Sequence, residues 1–268
     1  MPAIEENGLT ISYGETGEGP DLVLLHAAGS TGAQWRGVLG ELGDQFRTLT
    51  PDLWGHGRTS FWPNPETLLH NRQAELVKRI VDEESIGAFD LIGHSYGGGT
   101  AIRFVMEHPE MVRSLVLIEP MMACFLRELG ETDALDELEG IQDDFKERLD
   151  ADGPEAAWKG FLDFRNQPGT WDGYEEKTRQ NFIRRTPAQL ANFNANANNR
   201  TRLSDMAQIS QSTLVIRGVD TSLYDMRMSE IVAENISGAR FLILEGAGHM
   251  SPLTHPARIA REIVEHIE

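Results

Sequence analysis

The chain lacks most of the features that mark secreted or membrane-spanning proteins. Its 268 residues include one cysteine, Cys124, which excludes an internal disulfide framework and fits a reducing compartment. No window is apolar enough to predict a membrane span, and the start MPAIEENGLTISYGE has neither the basic residues nor the apolar stretch of a signal peptide. We therefore expect a soluble, cytoplasmic protein.

Basic residues are also scarce. Lysine and arginine number 24 against 42 aspartates and glutamates, which gives a formal net charge of −18. Because such a chain repels phosphate backbones and anionic lipid surfaces, neither a nucleic acid nor a membrane is expected as a partner. The oligomeric state stays open, with a homodimer among the alternatives. No histidine pair has metal-ligand spacing, so the sequence predicts no metal site.

The chain does have enough apolar residues, 40%, to build a core, and its element types alternate regularly. Short β-rich runs followed by longer helical patterns predict an α/β fold with a mostly parallel sheet flanked by helices. The predicted strands are Leu9–Tyr13, Leu22–Leu25, Phe46–Thr50, Phe89–Ile92, Ser114–Ile118, Thr213–Arg217 and Arg240–Leu244. The predicted helices are Leu68–Ser85, Gly98–Glu107, Met228–Asn235 and Arg258–Ile267.

This alternation breaks between Met121 and Asp205, where no strand pattern occurs. The segment is charged, helical in pattern and rich in aromatic residues, which predicts a helical cap over residues 121–205, inserted between two parts of one core, residues 1–120 and 206–268. Within it, the run NFNANANNR, Asn192–Arg200, is interpreted as helix caps and turns, because asparagine hydrogen-bonds to its local backbone.

The strongest functional pattern is FDLIGHSYGGGT, which places Gly93-x-Ser95-x-Gly97 directly after a strand and before a helix. A serine at such a turn is held in a strained conformation that projects its hydroxyl from the sheet, and the helix directs its positive end at developing negative charge. No lysine follows the glycines, so a nucleotide-binding loop is disfavoured. Ser95 is the candidate nucleophile.

A serine nucleophile needs a base, and GAGHMSPLTHP supplies His249 in a glycine loop after the last predicted strand. His255 precedes a proline and is typical of a helix start, so we favour His249. A tetrahedral intermediate also needs two backbone donors, and the amides of Ala28, in the glycine-rich loop HAAGSTGAQW, and of Tyr96 are the candidates.

Together with DLWGHGRTS, Asp52–Ser60, these motifs resemble the α/β-hydrolase superfamily, specifically its core-plus-cap serine hydrolases of the esterase and lactonase type. The resemblance covers nearly the whole chain outside the predicted cap. It implies a twisted sheet of about eight strands, with the cap over the active site.

The acid that orients the histidine is less certain from the motifs. In most relatives it follows the next-to-last strand, three residues after a glycine, but that position beyond Gly218 is Thr221, and Asp220 comes one residue early. Some branches, such as haloalkane dehalogenases and zearalenone lactonases, take the acid from the end of the strand after the elbow helix, where this chain has Glu119. We favour Glu119, with Asp220 as the alternative and Asp225 as the remaining candidate.

The resemblance implies a serine hydrolase that cleaves a small-molecule ester or lactone without a cofactor. Two alternatives remain open. Related enzymes with the same triad and cap hydrolyse a carbon–carbon bond in vinylogous diketones, and some members of the fold are non-catalytic receptors for small ligands.

Overall fold

An eight-stranded sheet forms the centre of the computed structural model, which describes residues 1–268. The strands are β1 Ala3–Glu6, β2 Leu9–Thr16, β3 Asp21–Leu25, β4 Arg47–Pro51, β5 Phe89–His94, β6 Val112–Ile118, β7 Ser212–Gly218 and β8 Arg240–Leu244. Their order is β1-β2-β4-β3-β5-β6-β7-β8. The pairs β1–β2 and β2–β4 are antiparallel and all others are parallel, so β3 to β8 end at one common edge.

The helices occupy the connections between the strands. They are α1 Arg36–Leu42, α2 His70–Glu83, α3 Tyr96–Glu107, α4 Ala123–Leu129, α5 Thr132–Asp152, α6 Pro154–Arg165, α7 Glu176–Arg184, α8 Thr186–Ala197, α9 Leu203–Met206, α10 Leu223–Asn235, α11 Ser251–Thr254 and α12 Pro256–Ile267. None of them combines the length and the apolar character that crossing a membrane requires.

Both faces of the parallel strands are buried, because successive side chains of a strand point to opposite faces. On β6, Leu115 and Leu117 pack with α2, α3 and α10 on one face. Val116 and Ile118 pack with α1 and α12 on the other face. The near-continuous apolar sequence of these strands follows from this two-sided burial.

The helices α4 to α9 lie between β6 and β7 in the chain, and we call residues 121–205 the inserted segment. It has an apolar cluster separate from the two faces of the sheet, made of Phe145, Ala157, Trp158, Leu162, Trp171 and Phe193. Its first helix, α4, instead packs with the core, since Phe125 and Leu126 are buried against the sheet.

The predicted fold class, a mostly parallel sheet flanked by helices, is confirmed. All seven predicted strands are present, and β1 is an additional strand that the sequence analysis missed. Only Ile4 of β1 is buried, so its alternation is weak. The signal that was available is the dipeptide Asn7-Gly8, whose positive φ values of 51° and 76° form the turn to β2.

The interpretation of the asparagine run as caps and turns is wrong, because α8 continues through it to Ala197. Two of its asparagines are buried and bond to the core rather than to the local backbone. Asn192 Nδ2 lies 3.3 Å from Nε2 of His56, and Asn196 Oδ1 lies 3.0 Å from Nε2 of His70. Tertiary contacts therefore outweigh the local preference of asparagine for turns.

Candidate active site

Ser95 lies at the sharp turn between β5 and α3. Its backbone has φ 54° and ψ −117°, a conformation that non-glycine residues rarely adopt. The flanking glycines are required by space: a Cβ on Gly93 would lie 2.5 Å from the carbonyl oxygen of Gly97, and one on Gly97 would lie 2.4 Å from that of Leu25. The turn places Ser95 at the N-terminus of α3, where it lines a cavity.

His249 follows β8 in a glycine loop and lines the same cavity as Ser95. Its side chain is 5% exposed, and Nδ1 lies 2.7 Å from Oε2 of Glu119. Because a carboxylate only accepts hydrogen bonds, this contact assigns the proton of the neutral ring to Nδ1. Nε2 is then the basic nitrogen.

Glu119 follows β6 directly and is fully buried, with a positive φ of 43°. Besides His249, it accepts hydrogen bonds from the backbone N–H of Gly218 and from the hydroxyl of Thr221, each at 2.8 Å. Thr221 is the position where the acid was expected by analogy with most relatives. A hydroxyl there supports the carboxylate on β6 instead of replacing it.

The other two candidate acids are placed differently. Asp220 is exposed, and its backbone N–H donates to the carbonyl of Ala247, which turns the loop away from the ring. Asp225, at the start of α10, is fully buried, and its Oδ2 lies 3.5 Å from Nδ1 of His249. It forms an ion pair with Arg165 and accepts a hydrogen bond from Ser222 Oγ at 2.6 Å.

The donors suited to an oxyanion are the backbone amides of Ala28 and Tyr96, both of which line the cavity. On either side of Ala28, the amide of Ala27 donates to Oε1 of Gln34 and that of Gly29 donates to Nε2 of His56. The amide of Ala28 donates to no group of the protein. Tyr96 is the first residue of α3, so its N–H has no partner within the helix.

Several buried histidines surround this site, and all are neutral. Burial lowers the pKa of His26 to about 4 and that of His56 to about 3. Burial also holds the pKa of His94 well below its ordinary value. The His94 ring packs beside that of His249, and its Nε2 donates to the His249 carbonyl at 2.9 Å. These rings therefore position loops and carry no charge into the site.

The cavity has a volume of about 260 Å³ and lies between the sheet edge and the inserted segment. Its apolar lining outside the catalytic loops is Met121, Leu138, Ile141, Phe161, Leu162, Phe182 and Phe193. Polar side chains from the inserted segment also reach it, among them Gln142, Arg165, Asn181, Arg185 and Gln189.

The residues that sequence reasoning missed are these polar groups, above all Arg165. On a helix of a charged segment, an arginine is indistinguishable from a solvated one, and no spacing links it to Asp225. Glu119, Asp225 and His249 lie close enough together to suggest metal ligation, within 4.8 Å. We assign no metal there, because the guanidinium of Arg165 already supplies the cation beside Asp225.

Comparison with known proteins identifies the class. A family model described as the alpha/beta hydrolase fold matches residues 20–256, and the chain belongs to this family. It is 27% identical to a 2-hydroxymuconate semialdehyde hydrolase from a Pseudomonas species, over 94% of this chain and 88% of that protein. It is 28% identical to the pimeloyl-acyl-carrier-protein methyl ester esterase of Aeromonas hydrophila, over 96% of this chain and 99% of that protein.

Solved structures share the fold. The crystal structure of a hydrolase from Pseudomonas aeruginosa superposes with a TM-score of 0.83 at 24% identity, covering 99% of this chain and 97% of that one. The likeness extends across the sheet and the inserted segment alike.

Proposed function

We propose that the protein is a serine hydrolase that cleaves carboxylic esters or lactones through an acyl-enzyme intermediate. The observation that carries the proposal is the pairing of His249 Nδ1 with the buried carboxylate of Glu119, in a cavity that also holds the strained Ser95. This pairing leaves Nε2 of His249 as a base for the serine hydroxyl.

In the first half-reaction, Ser95 Oγ attacks the ester carbonyl while His249 Nε2 takes its proton. The carbonyl oxygen becomes an anion, which the amides of Ala28 and Tyr96 stabilise, and the imidazolium is stabilised by Glu119. Collapse of the tetrahedral intermediate breaks the ester bond, and His249 returns the proton to the leaving alkoxide. The acyl group stays on Ser95.

In the second half-reaction, water attacks the acyl-enzyme. His249 removes a proton from the water, the same two amides hold the oxyanion, and the carboxylic acid leaves as Ser95 regains its proton. A lactone gives a single product, because its leaving alcohol is part of the same molecule. No step requires a metal or an organic cofactor.

In this account the inserted segment, residues 121–205, is a cap, and residues 1–120 and 206–268 form the core that carries the triad. The cap supplies the apolar wall of the cavity, which favours an acyl chain or ring of some hydrophobicity. The similarity to a methyl ester esterase over 96% of the chain supports ester cleavage.

A second candidate is hydrolysis of a carbon–carbon bond in a vinylogous diketone. The observation that favours it is the 27% identity to a 2-hydroxymuconate semialdehyde hydrolase, a relative whose named substrate is an unsaturated semialdehyde. The same nucleophile, base and oxyanion donors would serve either reaction, so substrate preference decides between the two.

The test is a comparison of initial rates on p-nitrophenyl esters from acetate to decanoate, several lactones and a vinylogous diketone, with wild-type protein and Ser95→Ala. The proposal expects ester or lactone turnover that Ser95→Ala abolishes. Higher kcat/KM on the diketone would favour the second candidate. Saturable ligand binding with negligible turnover on every substrate would instead make the protein a receptor.

A further inference from the structure

The imidazole of His249 faces two buried carboxylates, although a triad needs only one. Nδ1 lies 2.7 Å from Glu119 and 3.5 Å from Asp225, and neither carboxylate is exposed. Two uncompensated negative charges at these distances would stabilise the imidazolium. His249 would then be protonated over much of the pH range in which the reaction needs it as a base.

Arg165 compensates one of these charges. It is the last residue of α6, in the inserted segment, and its Nη1 lies 2.5 Å from Oδ2 of Asp225. Its side chain is 7% exposed, and its guanidinium also donates to the hydroxyl of Tyr224 and lies 5.2 Å from the centre of that ring. Burial by itself lowers the pKa of Arg165, but the attraction of Asp225 outweighs burial and raises it, so the guanidinium stays charged.

Glu119 has no cation of this kind. Apart from His249, its partners are the backbone N–H of Gly218 and the hydroxyl of Thr221, both neutral. The negative charge of Glu119 is therefore available to the imidazolium that forms during the reaction.

The remaining ionisable groups around His249 supply no compensating charge. His94, from β5, is neutral because burial lowers its pKa, and Tyr224 is neutral because burial raises its pKa. Glu137 of α5 and the exposed Asp220 line a second, smaller cavity on the Asp225 side of the ring, and both are acidic. Among all these groups Arg165 is the only cation.

We propose that Arg165 is a positioning residue that acts on His249 through Asp225. By pairing with Asp225 it leaves Glu119 as the only uncompensated carboxylate in contact with the ring, and so keeps His249 unprotonated near neutral pH. Because Arg165 belongs to the inserted segment, the base is complete only while that segment is seated on the core.

The kinetic part of the test rests on the proposed function and uses the acid limb of the kcat/KM profile on a p-nitrophenyl ester. A second readout is independent of turnover: the NMR titration midpoint of His249 in protein labelled with ¹⁵N-histidine, assigned with His249→Gln. Arg165→Met is expected to raise both values by about one pH unit, since an adjacent carboxylate is left uncompensated. Arg165→Lys, which keeps the charge, is expected to restore most of the wild-type behaviour.

Two further variants give opposite signs. Asp225→Asn leaves Arg165 unpaired near the ring and is expected to lower the His249 midpoint. The double variant Arg165→Met/Asp225→Asn removes both charges and is expected to return the midpoint close to that of the wild type. The matched control is Arg148→Met, because Arg148 is a half-exposed arginine of the same segment that pairs with Asp144; its midpoint is expected to equal the wild-type value.

An unchanged midpoint in folded Arg165→Met overturns the inference, because a purely structural arginine would lower turnover or stability without moving the titration. If Arg165→Met does not fold, Asp225→Asn decides, and an unchanged midpoint there overturns the inference as well. If no substrate is turned over, the proposed function fails while the NMR titration still tests the role of Arg165.

Discussion

Nδ1 of His249 lies 2.7 Å from Oε2 of Glu119, although 130 positions separate the two residues in the chain. They meet because β6 and β8 both pair with β7 and all three strands are parallel, so the loops that follow them leave the same edge of the sheet. The loop after β7 contributes the hydroxyl of Thr221, which donates to the same carboxylate. The acid on β6 is thus supported by the position that holds the acid in most relatives of this fold.

The first prediction concerns this carboxylate. Glu119→Gln is expected to lower kcat by about 10³–10⁴-fold, because an amide neither stabilises the imidazolium nor holds the ring in the correct tautomer. The measurement is steady-state ester hydrolysis across pH. Asp220→Asn makes the same chemical change at the exposed candidate and is expected to keep wild-type kcat. Full activity of Glu119→Gln, or loss of activity in Asp220→Asn, would contradict the assignment.

The second prediction concerns the space around the elbow. Gly93→Ala is expected to destabilise the fold by about 1–3 kcal/mol, because its Cβ would lie 2.7 Å from the Cα of Gly98 in a region of fixed backbone. Gly140→Ala, on α5 with no atom near the new Cβ, is expected to stabilise by about 0.5–1 kcal/mol through helix propensity. Urea unfolding of both variants measures the difference, and equal effects would refute the steric argument.

The third prediction is a loss of stability in acid. Burial lowers the pKa of His70 to about 4, below the value of about 6.5 expected in the unfolded chain. Between these values the unfolded chain binds the proton and the folded protein does not, so stability is retained above pH 6.5 and falls as the pH approaches 4.

His70→Gln is therefore expected to flatten the pH dependence of unfolding in this range. The slope should decrease by at most one proton, or about 1.4 kcal/mol per pH unit. Glutamine retains polar atoms for Thr100 and Asn196, the two partners of His70. Urea midpoints at several pH values provide the measurement, and an unchanged slope would show that His70 does not contribute.

The fourth prediction concerns the size of the acyl pocket. Phe182 of α7 lines the cavity, and Phe182→Ala is expected to raise the ratio of kcat/KM on decanoate to that on butyrate, because the wall recedes. Phe61→Ala removes a half-exposed phenylalanine outside the cavity and is the matched control, with an unchanged ratio. A chain-length profile that is the same for Phe182→Ala and the wild type would place the acyl group elsewhere.

The strands and the elbow could be predicted because their signals are local. A buried strand, Gly93-x-Ser95-x-Gly97 and a helix are adjacent in sequence, and steric limits on the turn act over a few residues only. β1 was missed because one buried side chain does not make an alternating pattern.

The acid and the surrounding charges are a different matter, because they depend on which loops meet at the sheet edge. The sequence left Glu119, Asp220 and Asp225 as alternatives, since one residue of loop length changes which carboxylate reaches the ring. Arg165 was absent from the prediction altogether, because its partner lies 60 positions away and no periodicity connects a helix of the inserted segment with α10.

The most direct test of the central claim is covalent labelling of the nucleophile. Wild-type protein, Ser95→Ala and His249→Gln are incubated with diethyl p-nitrophenyl phosphate, which phosphorylates activated serines, and are then examined by intact mass and peptide mapping. The account predicts one diethylphosphoryl group per wild-type chain, on Ser95, with no label on Ser95→Ala and slow labelling of His249→Gln. Label on another residue, or none on the wild type, would contradict it.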